Sequence, residues 1–288
     1  MAPIRLIVNA DDFGASPEVN EAVVLAFRKG VLTSTSLMAT GAAFDEAVRL
    51  AKVNPGLAVG LHIVLVLGRP VLPPYEIPHL AGRNGCFPDD PALAGLKYFF
   101  CRKTRKEIAQ EVSAQFAKFR ATGLPLSHVD GHCHMHVHPV VFDAVLKAAE
   151  EHGVRRMRVP EDDPRLARRL CGPMGLAGAA YAAVFRALSA RMKKRLKAHG
   201  FTFPGRVYGN LLTGRMSEDY FLSVLDNLRA ETSEIYFHPA LAAKGARPGA
   251  PARIELQGLR EFSALASGRV REKMAALGIE PATYQALD

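Results

Sequence analysis

Between positions 131 and 139 the chain reads GHCHMHVHP, so four of its ten histidines, His132, His134, His136 and His138, stand at alternate positions. Side chains two apart on an extended strand share a face, and the spacing predicts a wall of imidazoles. Neutral imidazole is a common ligand for transition metals, although a His-rich tract alone also reads as a solvated loop or an incidental metal-binding patch. Other residues decide between these readings. NADDFG, residues 9–14, carries Asp11 and Asp12, and His62 closes GLH. Arg158 ends RRMR, and His238 follows EIYF. Alone, NADDFG reads as a turn in which Asp caps a helix. With His62 and His132 it becomes something else, because one carboxylate and two imidazoles make a three-ligand site that keeps a coordination position open, as catalytic zinc requires. The second carboxylate is then free to act as a base.

Such a site needs several strands to deliver their ends to one place. IRLIVNA, STSLMAT, LAVGLHIVL, LSHVDGH, VRRMRVP and SEIYFHP read as strands, while PEVNEAVVLAFRKG and PVVFDAVLKAAEEHG have the apolar period of helices. Ser16 with Pro17, and Pro139, mark helix starts, and Gly30 and Gly153 mark stops. Strand followed by helix, repeated, predicts a mainly parallel sheet with right-handed crossovers. Asp11 and Asp12, His62, His132, Arg158 and His238 all fall at or just beyond the C-terminal ends of these strands, the edge at which α/β folds build their sites.

At 288 residues and 49% hydrophobic, the chain is long enough for one large core. MAPIRLIVNADD opens as a strand with no leader pattern, and the longest apolar run, interrupted by His62, is too short to span a bilayer. A cytoplasmic protein is expected. The four cysteines show no C-x-x-C spacing, which points away from a disulfide framework or thiolate zinc site, and Cys133 reads as a small core filler. A net charge of +9 favours an anionic neighbour without choosing among nucleic acid, acidic substrate and membrane surface.

Taken together, NADDFG, GLH, H-x-D-G-H-x-H-x-H, R-x-P at 158–160 and EIYFHP resemble the YdjC-type carbohydrate deacetylases, over almost the whole chain. GVLTSTSLM, VGLHIVLVLGRPVLPP, FRATGLPLSHVDGHCHMHVHP and SGRVREKMAALGI are more similar still to the hopanoid-biosynthesis-associated branch, HpnK. The resemblance implies a single distorted (β/α) barrel, TIM-barrel-like, across residues 1–288. It also implies metal-dependent removal of an N-acetyl group from an amino sugar. Carried over by position, Asp12, His62 and His132 match the ligands of one divalent ion, zinc first and magnesium as the alternative, and Asp11 matches the general base. At Asp130 the chain departs from that branch, and Asp130 is assigned no role. His238 is the candidate acid for the leaving amine. Arg158 is expected to orient the base or bind the sugar, and His134 and His136 to wall the substrate pocket, since three protein ligands suffice.

Two segments stand outside this constellation. KYFFCRKTRK sets three aromatics beside five cations, and a helical insertion at about 165–200 aligns Tyr181, Phe185, Leu188, Met192 and Leu196 beside Arg191, Lys193, Lys194, Arg195 and Lys197. An apolar stripe with a basic flank describes either a helix packed on the barrel or one lying on a membrane. The expected substrate is an N-acetylglucosaminyl lipid of the hopanoid type, met at the inner face of an anionic membrane. Soluble chito-oligosaccharides, or a phosphoesterase or amidohydrolase chemistry, are the alternatives. No nucleic-acid partner is expected, because the cations form no recognised reader motif.

Overall fold

A computed structural model describes residues 3–172, 175–212, 216–241 and 252–287. Its strands are β1 (Arg5–Phe13), β2 (Ser34–Met38), β3 (Ala58–Ile63), β4 (Leu126–Gly131), β5 (Arg206–Tyr208), β6 (Thr232–Phe237) and β7 (Glu280–Ala282). They lie in the order β4-β3-β2-β1-β6-β5, with β7 on β1. Every pairing between these strands is parallel. On one edge of β1, β7 takes residues 5–7 and β2 takes over from Asn9.

The expected strand VRRMRVP is reduced to isolated bridges, Val129 with Met157 and Arg156 with Thr202. It nevertheless continues the wall. Arg158 N–H donates to Val129 O, Thr202 N–H to Arg155 O and Val207 N–H to Glu161 O, which carries the sheet from β4 round to β5. The result is a curled, distorted (β/α) barrel. Helices Pro17–Lys29, Phe44–Lys52, Arg102–Ala121 and Pro139–Glu151 cover it on the crossovers between β1, β2, β3, β4 and the irregular wall. Ser16 caps the first of these helices over Pro17, and Gly30 ends it.

Inward positions repeat every second residue and are polar on five strands: Asn9 and Asp11, Ser34 and Ser36, His62, His128 and Asp130, and Glu234 are all buried. Gly60 belongs to the same inward set. A Cβ there would lie 2.3 Å from the His128 ring, which is itself stacked on Tyr284 at 3.8 Å and 4°. The imidazole therefore occupies the space a side chain at 60 would need. Gly60→Ala is expected to destabilise the protein by about 1–3 kcal/mol through overpacking. Gly268→Ala, at an open helix start, should stay within about 0.5 kcal/mol. Urea unfolding of the two variants checks the difference.

Candidate metal centre and active site

The first strand ends in an irregularity. Pairing with β2 shifts register between Ala10 and Phe13, and Asp12 adopts φ 64, the left-handed region. In a regular strand two successive aspartates face opposite sides; the bulge re-aims the second. Asn20, in the following helix, fixes the turn by accepting from Gly14 N–H at 2.8 Å and donating to Ala43 O and Glu46.

Asp12 Oδ1 then stands 2.9 Å from His132 Nδ1 and 3.4 Å from His62 Nε2. The three donors all lie within 4.8 Å of one another. Ligands about 2.0–2.1 Å from one tetrahedral ion are separated by roughly 3.3 Å, so the set fits a divalent cation. The remaining nitrogen of His62 supports this fit: Nδ1–H donates to Asp130 at 2.7 Å, the outer carboxylate that fixes the tautomer of a ligating imidazole. The carboxylate and each imidazole favour one another's charged forms. Burial works against an ionised Asp12, but His132 and His62 outweigh it and hold the carboxyl well below its usual range. Burial likewise opposes a charged His132, yet the Asp12 hydrogen bond raises it to about 9.

Asp11 lies beside this group and is buried. Arg158 grips it with both terminal nitrogens, Nη1 to Oδ2 at 2.7 Å and Nη2 to Oδ1 at 2.8 Å, and Asn9 donates to Oδ1 at 2.8 Å. His238 Nε2 is 4.0 Å from Asp11 Oδ2. The opposite face of the His238 ring meets Glu261, which also accepts from the His238 backbone N–H. Asp11, His62 and Asp130 form a second close cluster of donors. The guanidinium of Arg158 already bonds both carboxylates there, at 2.7 and 2.9 Å, and takes the place a second cation would need.

The histidine tract differs from the expected strand. β4 stops at Gly131, and residues 132–137 form a tight turn in which Cys133 and His134 have φ 50 and 54. The chain has reached the barrel rim and must turn into helix Pro139–Glu151, so the four imidazoles diverge. His132 meets Asp12, His134 Nε2 bonds Tyr236 Oη at 2.8 Å, His136 Nε2–H donates to Arg158 O at 3.1 Å, and His138 sits edge-on to Tyr98 and Phe99. His134 lines the cavity described below. His136 lies beneath it, fully buried, and supports Arg158 where a pocket wall was expected. Burial pushes the His136 ring down to about 4, leaving it neutral. Cys133 is exposed, not core, because the turn points it outward.

Arg158 also needs correcting as a sugar-contacting group. Its side chain is 0% exposed and is spent on Asp11, Asp130 and Glu234. Its place is under the site, holding Asp11. Glu234 in turn accepts from Tyr284 Oη. Asn9, Ser36 and Glu234 escaped the sequence reading, and Asp130 was named there but given no role, although strand parity places all four inward; Glu261 and Tyr284, in a late helix and turn, carried no such signal.

A cavity of about 900 Å3 opens over this centre. Asp11, His132, His134, Tyr236 and His238 form one end; helices Pro91–Phe100 and Leu176–Ala198 form apolar side walls.

An α/β barrel with a carboxylate and two imidazoles at its rim, beside a tethered aspartate, fits a hydrolase whose site could hold a metal ion. The YdjC-like protein family matches residues 5–276, and the chain belongs to it. It is 34% identical over 285 residues to a carbohydrate deacetylase of Geobacillus stearothermophilus, covering 98% of both chains. A chitooligosaccharide deacetylase of Yersinia enterocolitica is 40% identical over 147 residues, 51% of this chain and 56% of that one. In structure the chain is similar to a candidate cellobiose-phosphate cleavage protein of Enterococcus faecalis V583, with TM-score 0.77, 23% identity and 99% of both chains covered.

Arg158→Met is expected to cost about 3–5 kcal/mol near neutrality, because it strands buried carboxylates. Asp130 is held well below the usual range: burial opposes its charge, but Arg158 and His62 prevail. A depressed carboxyl contributes stability above its unfolded value, and that contribution is lost as pH falls. In the variant the stranded acids take up protons instead, so the gap from wild type narrows towards about pH 4. Urea titrations near neutrality and near that pH measure both effects.

Proposed function

We propose that the protein is a metal-dependent carbohydrate N-deacetylase of the hopanoid-associated branch. Its substrate is an N-acetylglucosaminyl lipid such as N-acetylglucosaminyl bacteriohopanetetrol. The observation that carries the hydrolytic reading is the convergence of Asp12, His62 and His132 beside an Asp11 that Arg158 holds by both oxygens. The names of the relatives supply the bond that is cut. The apolar walls of the cavity favour a lipid over a free sugar chain.

Asp12, His62 and His132 would hold one ion, zinc before magnesium. When bound, it polarises the amide carbonyl and lowers the pKa of water towards neutrality. Asp11 takes the proton of the attacking water, and Asn9 and Arg158 keep its carboxylate from rotating away. Water adds to the carbonyl carbon, the C–N bond breaks, and His238, steadied by Glu261, gives a proton to the departing amine. Acetate and a free amino sugar remain. His134, fixed on Tyr236, shapes the wall beside the acyl group. Peripheral contact with the cytoplasmic membrane face follows from a lipid substrate.

A second reading, deacetylation of soluble chito-oligosaccharides, is favoured by the Yersinia relative's name. Mass spectrometry of a detergent-dispersed N-acetylglucosaminyl lipid and of N,N′-diacetylchitobiose, each incubated with the protein, separates the two. Loss of one acetyl group with a much larger kcat/KM on the lipid is expected; preference for the chitobiose would overturn the lipid reading.

Variants separate the roles. Asp12→Asn, His62→Ala and His132→Ala are expected to lose most bound metal by elemental analysis, while His134→Ala keeps it. Asp11→Asn should retain metal yet fall by roughly 10²–10⁴ in turnover, the range of general acid–base catalysis. His238→Ala should lose far more activity on the amide than on an activated ester, whose leaving group needs no proton. Equal losses on the two substrates would remove His238 from the acid's role.

A further inference from the structure

The cavity mouth lies between two helices that turn apolar side chains outward. Helix Pro91–Phe100 exposes Leu93 (64%), Leu96 (58%) and Phe100 (74%), and helix Leu176–Ala198 exposes Leu176 (93%) and Val184 (56%). Leu96, Phe100 and Val184 line the same cavity, and Leu93 and Leu176 extend the exposed apolar faces of the two helices beyond its lining. Scattered exposed apolar residues are ordinary, whereas a cluster around one opening marks a contact surface. Exposed cations frame the cluster. Lys97, Arg102, Lys103, Arg105 and Lys106 adjoin the first helix, and Arg165, Arg168 and Arg169 lie on helix Pro164–Cys171, just before the second. The acids nearby are outnumbered: Asp90 is engaged in capping Ala92 and Leu93, Asp89 precedes it, Glu107 is buried against His79, Asp163 caps helix Pro164–Cys171, and Glu76 is exposed in the same groove as Arg102, Lys103 and Lys106.

Apolar side chains ringed by ammonium and guanidinium groups match the boundary of an anionic bilayer, where the first enter the acyl region and the second meet phosphate. We propose that helix Pro91–Phe100 and the first turns of helix Leu176–Ala198 dock the protein on an anionic phospholipid leaflet, with the cavity mouth against the lipid. The proposal rests on the glycolipid reading above and names the surface that reading requires. It also moves the contact away from the cations expected from the sequence. Lys193 is paired with Glu161 and Arg195 with Asp143, beside the buried Met192 and Leu196. That half of the helix is roughly 15 Å beyond Val184 at 1.5 Å per residue, and it packs against the barrel.

Co-sedimentation with substrate-free vesicles tests the docking surface. Wild-type protein is expected to bind vesicles of equimolar phosphatidylglycerol and phosphatidylcholine, and to bind phosphatidylcholine alone much more weakly. Leu93→Ser/Leu176→Ser and Lys103→Glu/Lys106→Glu, none of which lines the cavity, should each lower partitioning by roughly tenfold or more. Lys194→Glu/Lys197→Glu changes net charge equally and should shift binding by no more than about twofold, because it lies off the surface. All three variants should deacetylate a short soluble N-acetylglucosaminyl analogue at the wild-type rate. Wild type that ignores phosphatidylglycerol, or docking variants that keep full binding, overturns the proposal. So does a Lys194/Lys197 variant that loses as much binding as Lys103/Lys106. Because these vesicles contain no glycolipid, failure here is distinct from failure of the substrate reading, which shows in the detergent-dispersed assay.

Discussion

The guanidinium of Arg158 sits at the centre of the barrel with three carboxylates, Asp11, Asp130 and Glu234, bonded to it and no exposure to solvent. One cation among three acids is tolerable in a low-dielectric interior only if the remaining charge is shared or neutralised. His62 shares that of Asp130, and burial raises Glu234 towards its protonated form while Tyr284 satisfies its second oxygen. The planar fork of arginine can reach three partners at once in a way an ammonium cannot. The rim inherits its geometry from this pairing. Asp11 is aimed because Arg158 holds both oxygens, and His62 is aimed because Asp130, itself held by Arg158 and Ser36, fixes its ring.

Backbone strain completes what the buried network begins. Three non-glycine residues near the centre, Asp12, Cys133 and His134, lie at positive φ, a region that disfavours a side chain and persists where the surroundings over-determine it. At Asp12 the reversal turns a carboxylate that would face the outer helices towards His62 and His132. At Cys133 and His134 it bends the chain sharply enough that His132 and His136 leave in different directions, one up to the rim and one down to the carbonyl of Arg158. Histidines four apart in sequence thus serve separate layers of the site.

Much of this was legible in the sequence, and the exceptions have physical causes. Five of the six strands read from apolar runs are strands; VRRMRVP is not, because only Val129 and Thr202 pair with it and its backbone otherwise serves to carry Arg158 inward. β5 and β7 went unread since three residues are too few to show a period. The convergence of Asp11, Asp12, His62, His132 and His238 followed from placing each at a strand's C-terminal end, which needs topology alone. Alternation misled at His134 and His136, where a tight turn replaces the strand. It was also underused: Asn9, Ser36, Asp130 and Glu234 share parity with the inward set, but a polar residue in a strand says nothing of its partner until the barrel brings strands together. Glu261 reaches His238 from a helix more than twenty residues later, and no local pattern marks such a contact.

The same construction gives the site a direction. Below the rim most inward positions of β1, β2, β3, β4 and β6 are polar and largely bonded to one another, so neither water nor substrate gains by entering; above it, helices Pro91–Phe100 and Leu176–Ala198 are attached to the barrel by buried residues such as Ala94, Tyr98, Met192 and Leu196 while apolar side chains such as Leu96, Phe100 and Val184 stay open. Tyr98 shows how the wall is tied down: its hydroxyl donates to Leu65 O at 2.6 Å, anchoring the helix that carries Leu96 and Phe99 to the segment following β3. A substrate with one polar, acylated end and one apolar end has a single favourable orientation between these two environments. On the proposed glycolipid reading, its amide would be brought to Asp11 and His238 by the same burial that leaves its apolar part against the helices. On that reading, orientation of the scissile bond depends on side chains remote from it, and the polar network under the rim and the apolar walls above it would act as one binding device.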